Sequence, residues 1–91
     1  MHSSYRRSIM LSPYQVKDFV NAATKCDFDI DVYNNRYVVD AKSILGVLGL
    51  DLSKPVTVEY HGINSEFESF LDSLAVACWS LLLSSWQVTS I

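Results

Sequence analysis

The sequence contains few of the residues that interrupt or cross-link a fold. Its 91 residues include three glycines, two prolines and two cysteines, while hydrophobic residues make up 49%. Because glycine and proline mark turns and helix ends, their scarcity predicts one small globular domain, residues 1–91, mostly in helices and strands. Cys26 and Cys78 form neither a metal-binding motif nor a disulfide framework. We therefore expect a cytoplasmic protein with reduced thiols and with no metal or other cofactor.

Basic charge is also scarce. Seven Lys and Arg residues stand against ten Asp and Glu residues, which gives a net charge of -3. Nucleic-acid binders usually carry a basic excess or a basic patch, so we expect no direct binding of nucleic acid. Residues 73–91 carry no charge, but serine, threonine and glutamine interrupt them repeatedly. A membrane-spanning helix needs about 20 predominantly apolar residues, so we expect no membrane association.

Hydrophobic spacing predicts the element order βαββαβα. The predicted strands cover residues 5–11, 27–32, 36–41 and 56–61, and the predicted helices cover residues 13–25, 43–48 and 65–81. Ser12 and Gln15 have the spacing of a capping box at the first helix. Asn34 and Asn35 tolerate positive φ and are placed to form a tight hairpin turn.

This order predicts an α+β fold, in which three helices cover one face of a four-stranded antiparallel sheet and the other face stays wet. Asp27, Asp29 and Asp31 alternate along one predicted strand and would share its solvent face. Carboxylates that stand parallel on a strand do not wrap an ion as a calcium loop does, so we interpret them as a solvated face rather than a metal site.

The second predicted helix carries a family signature. The segment from Lys42 to Leu50, KSILGVLGL, resembles the second-helix motif of HPr, the histidine-containing phosphocarrier of the bacterial phosphoenolpyruvate:sugar phosphotransferase system. The segment from Phe19 to Ala23 and the element order support the resemblance, which covers about residues 5–81. It implies an HPr-like open-faced β-sandwich, a bacterial cytoplasmic protein that is not an enzyme, and protein partners from the phosphotransferase system or its regulation.

The sequence departs from the family at the active site, where HPr carries H-x-R-P at the start of the first helix. Aligned without gaps, Ser12 takes the place of the phosphorylated histidine and Tyr14 that of the arginine. The register that instead matches Pro13 to the family's proline puts Met10 at the histidine position. A phosphoserine is a stable ester, whereas the relay needs a labile phosphoramidate. We therefore predict a divergent member that has no catalytic residue and cannot carry phosphate on histidine.

Ser43 is the most informative residue of the signature. In Gram-positive HPr, a dedicated kinase phosphorylates the matching serine, so the resemblance implies a regulatory phosphosite with Lys42 beside it. On the residues alone, Ser43 is an ordinary helix N-cap.

The second helix is also strongly apolar. Family members use this helix to dock partners, so the resemblance implies a partner-binding surface made by Lys42, Ile44, Leu45, Val47 and Leu48. We expect Leu45 and Leu48 to face outward and Ile44 and Val47 to face inward, and ordinary packing remains the alternative interpretation.

Residues 82–91 form an uncharged apolar extension beyond the usual end of the family. Trp79, Leu82, Leu83 and Trp86 would make a second stripe on the last predicted helix, displaced by about 100° from the core stripe. Exposed tryptophan and leucine are typical of an interface, so the pattern favours a homodimer or a partner-binding helix over a tail folded onto its own domain.

Three functions are compatible with these residues. The first is an HPr-like regulatory or protein-binding role, switched at Ser43. The second is a dimerising or scaffolding module without phosphate chemistry. The third is a phosphocarrier that uses a non-standard residue.

Overall fold

A computed structural model describes residues 4–75. The elements follow the predicted order, with a short 3₁₀ turn at Pro13–Gln15 leading into the first helix. The strands are β1 (Tyr5–Ile9), β2 (Ile30–Tyr33), β3 (Val38–Asp40) and β4 (Val56–Tyr60), and the helices are α1 (Val16–Thr24), α2 (Ile44–Leu48) and α3 (Ser65–Leu74).

The four strands form one antiparallel sheet in the order β1-β4-β2-β3. Ile9 pairs with Val56, and Tyr33 pairs with Thr57. The end of β1, the end of β2 and the start of β4 therefore meet at one end of the sheet, called here the hairpin end. The β2–β3 hairpin closes at this end, and the chain also leaves it to enter α1.

The hydrophobic core lies between the sheet and the three helices. The sheet contributes alternate residues, as the buried Val56, Val58 and Tyr60 of β4 show. The ring of Tyr60 meets that of Phe67 edge-on, with ring centroids 5.5 Å apart. The ring centroids of Phe67 and Phe19 are 6.2 Å apart. Fully burying a large apolar side chain is worth about 1.5–3 kcal/mol. Layers from β4, α3 and α1 thus confirm the predicted α+β open-faced sandwich.

The hairpin turn differs from its prediction. Within residues 4–75 no residue has positive φ, so the predicted left-handed turn at Asn34-Asn35 is wrong. The side chain of Asn34 builds the turn instead, because its Oδ1 accepts hydrogen bonds from the N–H groups of Arg36 at 2.9 Å and Tyr37 at 3.0 Å. An asparagine side chain can replace a backbone group in this way without a left-handed residue.

The predicted aspartate strand is also shorter than expected. β2 begins at Ile30, so Asp27 and Asp29 lie in the preceding loop and only Asp31 belongs to the strand. All three carboxylates are exposed, as the solvated-face interpretation expects. Within the described residues, no group of three or more His, Cys, Asp or Glu side chains is arranged to hold a metal ion.

The last helix ends before its prediction. α3 stops at Leu74, and Ala75 turns to extended backbone with ψ 142°. Ala75 bridges to Ile9, and the N–H of Met10 donates to the carbonyl of Leu74 at 2.9 Å, so pairing with β1 replaces another helical turn. A continuous helix through Leu81 is therefore wrong. The predicted interface at Trp79, Leu82, Leu83 and Trp86 and the predicted extension at residues 82–91 lie outside the described residues.

None of the helices within residues 4–75 is both long enough and apolar enough to span a bilayer.

Candidate functional site

The start of α1 is built by local capping. Ser12 is extended, with φ -85° and ψ 156°, and Pro13 begins the 3₁₀ turn with its fixed φ. The N–H of Ser12 donates to Oε1 of Gln15 at 3.0 Å, and the N–H of Gln15 donates to the carbonyl of Ser12 at 2.9 Å. The second bond uses the backbone carbonyl of Ser12 and not its hydroxyl, so the Gln15 half of the predicted capping box is formed while the Ser12 side chain makes no cap hydrogen bond. Tyr14 is presented to solvent, with 94% of its surface exposed.

Among residues 4–75, Ser12 has no base to activate it. Within residues 4–75, no hydrogen bond joins its hydroxyl to a histidine or a carboxylate. The one histidine in this part of the chain, His61, follows β4 at the end of the sheet opposite the hairpin end. Four strand steps separate Val56 from Tyr60, which is roughly 13 Å at 3.3 Å per residue. His61 therefore cannot substitute for a histidine at the start of α1.

Cys26 is a nucleophilic side chain at the opposite end of α1 from Ser12. It lies after α1 and is 3% exposed. Burial raises the pKa of its thiol, and its Sγ lies 3.6 Å from the carbonyl oxygen of Ala22, which can accept the S–H. A buried protonated thiol is a poor nucleophile, so Cys26 is a core residue.

Ser43 is the N-cap of α2, as predicted. Its Oγ accepts a hydrogen bond from the N–H of Gly46 at 3.1 Å, and the residue is exposed. Lys42 is directed away from it, because its Nζ donates to the carbonyl of Cys26 at 2.9 Å. The Lys42 ammonium thus joins α2 to the end of α1. Lys42 is next to Ser43 in the chain, but its charged group does not lie beside the Ser43 hydroxyl.

The exposed face of α2 differs in part from its prediction. Leu45 is 80% exposed and Leu48 is 46% exposed, as expected, but Ile44 is also 41% exposed and does not face inward. Val47 is fully buried, as expected, so it adds no exposed surface to the partner-binding set predicted for α2. A helix of five residues makes little more than one turn, which leaves room for one inward side chain. Gly46 allows α2 to pack closely against β3, since a Cβ at this position would lie 3.2 Å from Cβ of Val39.

Ser12 and Ser43 lie at opposite ends of α1. Ser12 precedes the helix, whereas Ser43 begins α2 beside the end of α1, where Lys42 meets Cys26. The nine residues of α1 span about 13 Å at 1.5 Å per residue. A phosphate at one position is therefore too far away to contact the other directly.

A depression at the hairpin end was missed by sequence reasoning. It has a volume of about 500 Å³ and lies between the hairpin turn and the loop that joins α2 to β4. Its lining comprises Tyr33, Asn34, Asn35, Arg36, Tyr37, Gly49, Leu50, Asp51, Lys54, Pro55 and Thr57. The two walls lie more than ten residues apart along the chain, so no local pattern could have shown their approach.

A comparison with protein-family models matches residues 15–77 to the family described as the PTS HPr component phosphorylation site. The chain belongs to the HPr family. A solved structure, the crystal structure of a phosphocarrier protein HPr from Bacillus anthracis str. Ames, is similar with a TM-score of 0.60. The sequences are 22% identical, and the match covers 79% of this chain and 95% of that one. Among curated proteins no match was found.

The family match divides the candidate residues. Ser43 and all of α2 lie inside the matched residues of this HPr-family protein, whereas Ser12 and Tyr14 lie just before the match begins at Gln15. The solved structure supports the open-faced fold, and membership of the family supports protein partners of the phosphotransferase system in general. The HPr component is a phosphocarrier, which agrees with the expectation of a protein that is not itself an enzyme.

Proposed function

We propose that this HPr-family protein acts by protein–protein contact in phosphotransferase-system regulation, without relaying phosphate through a histidine. The observation that carries the proposal is that Ser12 and Tyr14 stand at the start of α1, and the gap-free alignment pairs them with the family's phosphohistidine and arginine. The proposal assigns docking to the apolar face of α2 and switching to Ser43.

The loss of the relay is supported by the chemistry of these side chains. A phosphoryl group on Ser12 would be a stable ester that resists transfer. Tyr14 lacks the guanidinium fork that binds phosphate oxygens in a bidentate manner. His61 lies at the far end of the sheet, so the described part of the chain offers no other imidazole near α1.

The docking role is supported by the exposure of α2. Ile44, Leu45 and Leu48 present three aliphatic side chains from a single short helix, and the stem of half-buried Lys42 lies next to them. Exposed apolar residues grouped in this way are typical of protein-binding sites. The docking surface of this proposal therefore comprises Lys42, Ile44, Leu45 and Leu48.

The switching role is supported by the position of the Ser43 hydroxyl. It is exposed, and its partner is the N–H of Gly46, a donor that a phosphate oxygen can also use. Phosphorylation would add a charge of about -1.5 to -2 next to Ile44, at the edge of the apolar face. An apolar partner would then have to approach a strongly hydrated group, so the modification would change docking without unfolding α2.

The relay and the switch are tested by intact-mass measurement after two incubations. One supplies phosphoenolpyruvate and the general phosphotransferase, and the other supplies ATP and the HPr serine kinase. We expect no acid-labile phosphoryl group in the first and an acid-stable one in the second, absent from Ser43→Ala. An acid-labile group in the first incubation would disprove the loss of the relay. No product in the second would disprove the switch.

The docking surface is tested by a double substitution, Leu45→Ser with Leu48→Ser, in pull-down against purified phosphotransferase-system proteins. Both side chains are exposed, so we expect binding to fall while the melting temperature is kept. Ile63→Ser is the matched control, because Ile63 is 65% exposed but lies outside α2. Equal binding by the two variants would contradict the assignment of docking to α2.

A further inference from the structure

The depression at the hairpin end has the size of a small-molecule site. Its volume of about 500 Å³ falls within the range of ligand pockets, roughly 300–1,000 Å³. The hairpin turn forms one wall, the loop from Gly49 to Pro55 forms the other, and Tyr33 and Thr57 of the sheet lie between them. It is separate from the start of α1 and from the apolar face of α2.

Two free cations line this depression from opposite walls. Arg36 belongs to the hairpin turn and Lys54 to the opposite loop, and both are exposed. Among the residues that the structure describes, neither side chain forms an ion pair, whereas Arg6 and Arg7 both do. The chain as a whole is acidic, with a net charge of -3, so this pair is a local exception.

The single carboxylate of the lining is committed to its own loop. Oδ1 of Asp51 accepts the N–H of Ser53 at 3.1 Å and its hydroxyl at 2.5 Å. These hydrogen bonds, together with the nearby charge of Lys54, lower the pKa of Asp51, so Asp51 offsets part of the positive charge of Lys54. The charged lining residues therefore sum to one net positive charge, with Asp51 as a repulsive element on the Lys54 wall.

The remaining lining residues fit a planar ring. Tyr33 and Tyr37 contribute aromatic surface, and Tyr37 is 59% exposed. Aromatic side chains bind planar groups by offset stacking. Oδ1 of Asn34 already accepts two backbone N–H groups, which leaves its NH₂ as a donor toward a ligand.

We propose that this depression binds a small phosphomonoester that carries a planar ring. A phosphomonoester has a charge of about -1.5 to -2 at pH 7 and three terminal oxygens, so it can accept from Arg36 on one wall and from Lys54 on the other at the same time. The guanidinium of Arg36 suits phosphate oxygens, and the ammonium of Lys54 acts as a second point charge. This inference goes beyond the proposed docking role and does not depend on it.

The test is an NMR titration of the full-length protein with adenosine 5′-monophosphate. We expect saturable shifts in the amide signals of Arg36, Tyr37 and Lys54. Inorganic phosphate and adenosine each lack one half of the ligand, and glucose 6-phosphate lacks a planar ring. Each should bind about tenfold more weakly, adenosine because it loses the charged contacts to Arg36 and Lys54, and the other two because they lose stacking on the tyrosines.

Charge variants separate the site from general anion attraction. Arg36→Gln and Lys54→Gln should each weaken binding about tenfold, while Asp51→Asn should strengthen it by removing repulsion. Lys17→Gln makes the same change in net charge at an exposed residue of α1, outside the depression, and should leave binding unchanged. The proposal is overturned by non-saturable shifts, by shifts confined to residues 12–15, by equal binding of glucose 6-phosphate, or by a Lys17 effect equal to that of Arg36.

Discussion

Replacing Tyr60 by phenylalanine would remove a single hydroxyl from the core. Tyr60 is 1% exposed, and its hydroxyl donates to Oε2 of Glu68 at 2.6 Å. Oε1 of the same carboxylate accepts from Nη1 of Arg7 at 3.0 Å, and Arg7 also pairs with Asp72. The hydroxyl therefore links β4 to α3 through a carboxylate that β1 also holds.

The size of the loss follows from the partners that remain. A hydrogen bond to a charged group contributes about 1.5–3 kcal/mol, and a carboxylate left without a partner would add a further cost. Glu68 keeps Arg7 after the substitution, so it is not left unsatisfied. We therefore expect Tyr60→Phe to lower the free energy of unfolding by about 1.5 kcal/mol at pH 8, the lower end of that range.

The same hydroxyl makes the difference in stability between the wild type and Tyr60→Phe depend on pH. Burial, and next the hydrogen bond to Glu68, raise the pKa of Tyr60 above its ordinary value of 10.0. A raised folded-state pKa gives stability that is complete below pH 10 and is lost as pH rises above it, because the unfolded chain then releases the proton first. Above pH 10, the free energy of unfolding of the wild type therefore falls by up to about 1.4 kcal/mol per pH unit. The variant lacks this titration, so the two proteins should be about equally stable near pH 11.

The assay is urea unfolding followed by circular dichroism at several pH values between 8 and 11. Tyr14→Phe is the control, since it removes the same hydroxyl from a side chain that is 94% exposed. A difference between wild type and Tyr60→Phe that stays constant over this range would refute the role of the buried hydroxyl. Equal stability at pH 8 would refute the hydrogen bond to Glu68.

Substitutions at three further positions test other contacts by thermal or urea unfolding. Gly62→Ala should destabilise by about 1–3 kcal/mol, because its Cβ would lie 2.2 Å from Cδ2 of Phe28; an unchanged melting temperature would show that the ring moves freely. Asp31→Asn should stabilise by about 0.2–1 kcal/mol, less in high salt, because carboxylates lie directly opposite it on both neighbouring strands; destabilisation would contradict this. Ser43→Ala should cost about 1 kcal/mol by removing the acceptor for Gly46, whereas Ser43→Asp should keep the cap; equal loss in both would refute capping.

Local signals predicted most of the elements. Alternation identified β4, and the capping spacing of Ser12 and Gln15 located the start of α1, because these patterns act within a few residues. The KSILGVLGL segment likewise placed α2 and its cap at Ser43. These predictions held because each depends on contacts between residues close together in the chain.

The errors arose where a distant contact competed with a local preference. The pattern after Leu74 favoured more helix, but Ala75 pairs with Ile9, some 65 residues earlier in the chain, and this strand pairing ends α3. Ile44 and Val47 both suit the inner face of a helix, yet the close approach of α2 to β3 at Gly46 admits only Val47. The spacing of apolar residues along the sequence does not predict how closely two elements pack against each other.

The sequence by itself determined the family signature and the fold class, and it predicted that Ser12 takes the place of the active-site histidine, since these depend on residue identity and order. Only the tertiary structure decided which face of α2 is exposed, where the Lys42 ammonium lies, and that Arg36 and Lys54 line the same depression. The physical reason is that sheet register brings distant loops to one end of the molecule. Local periodicity specifies elements, whereas their pairing and packing specify which side chains meet.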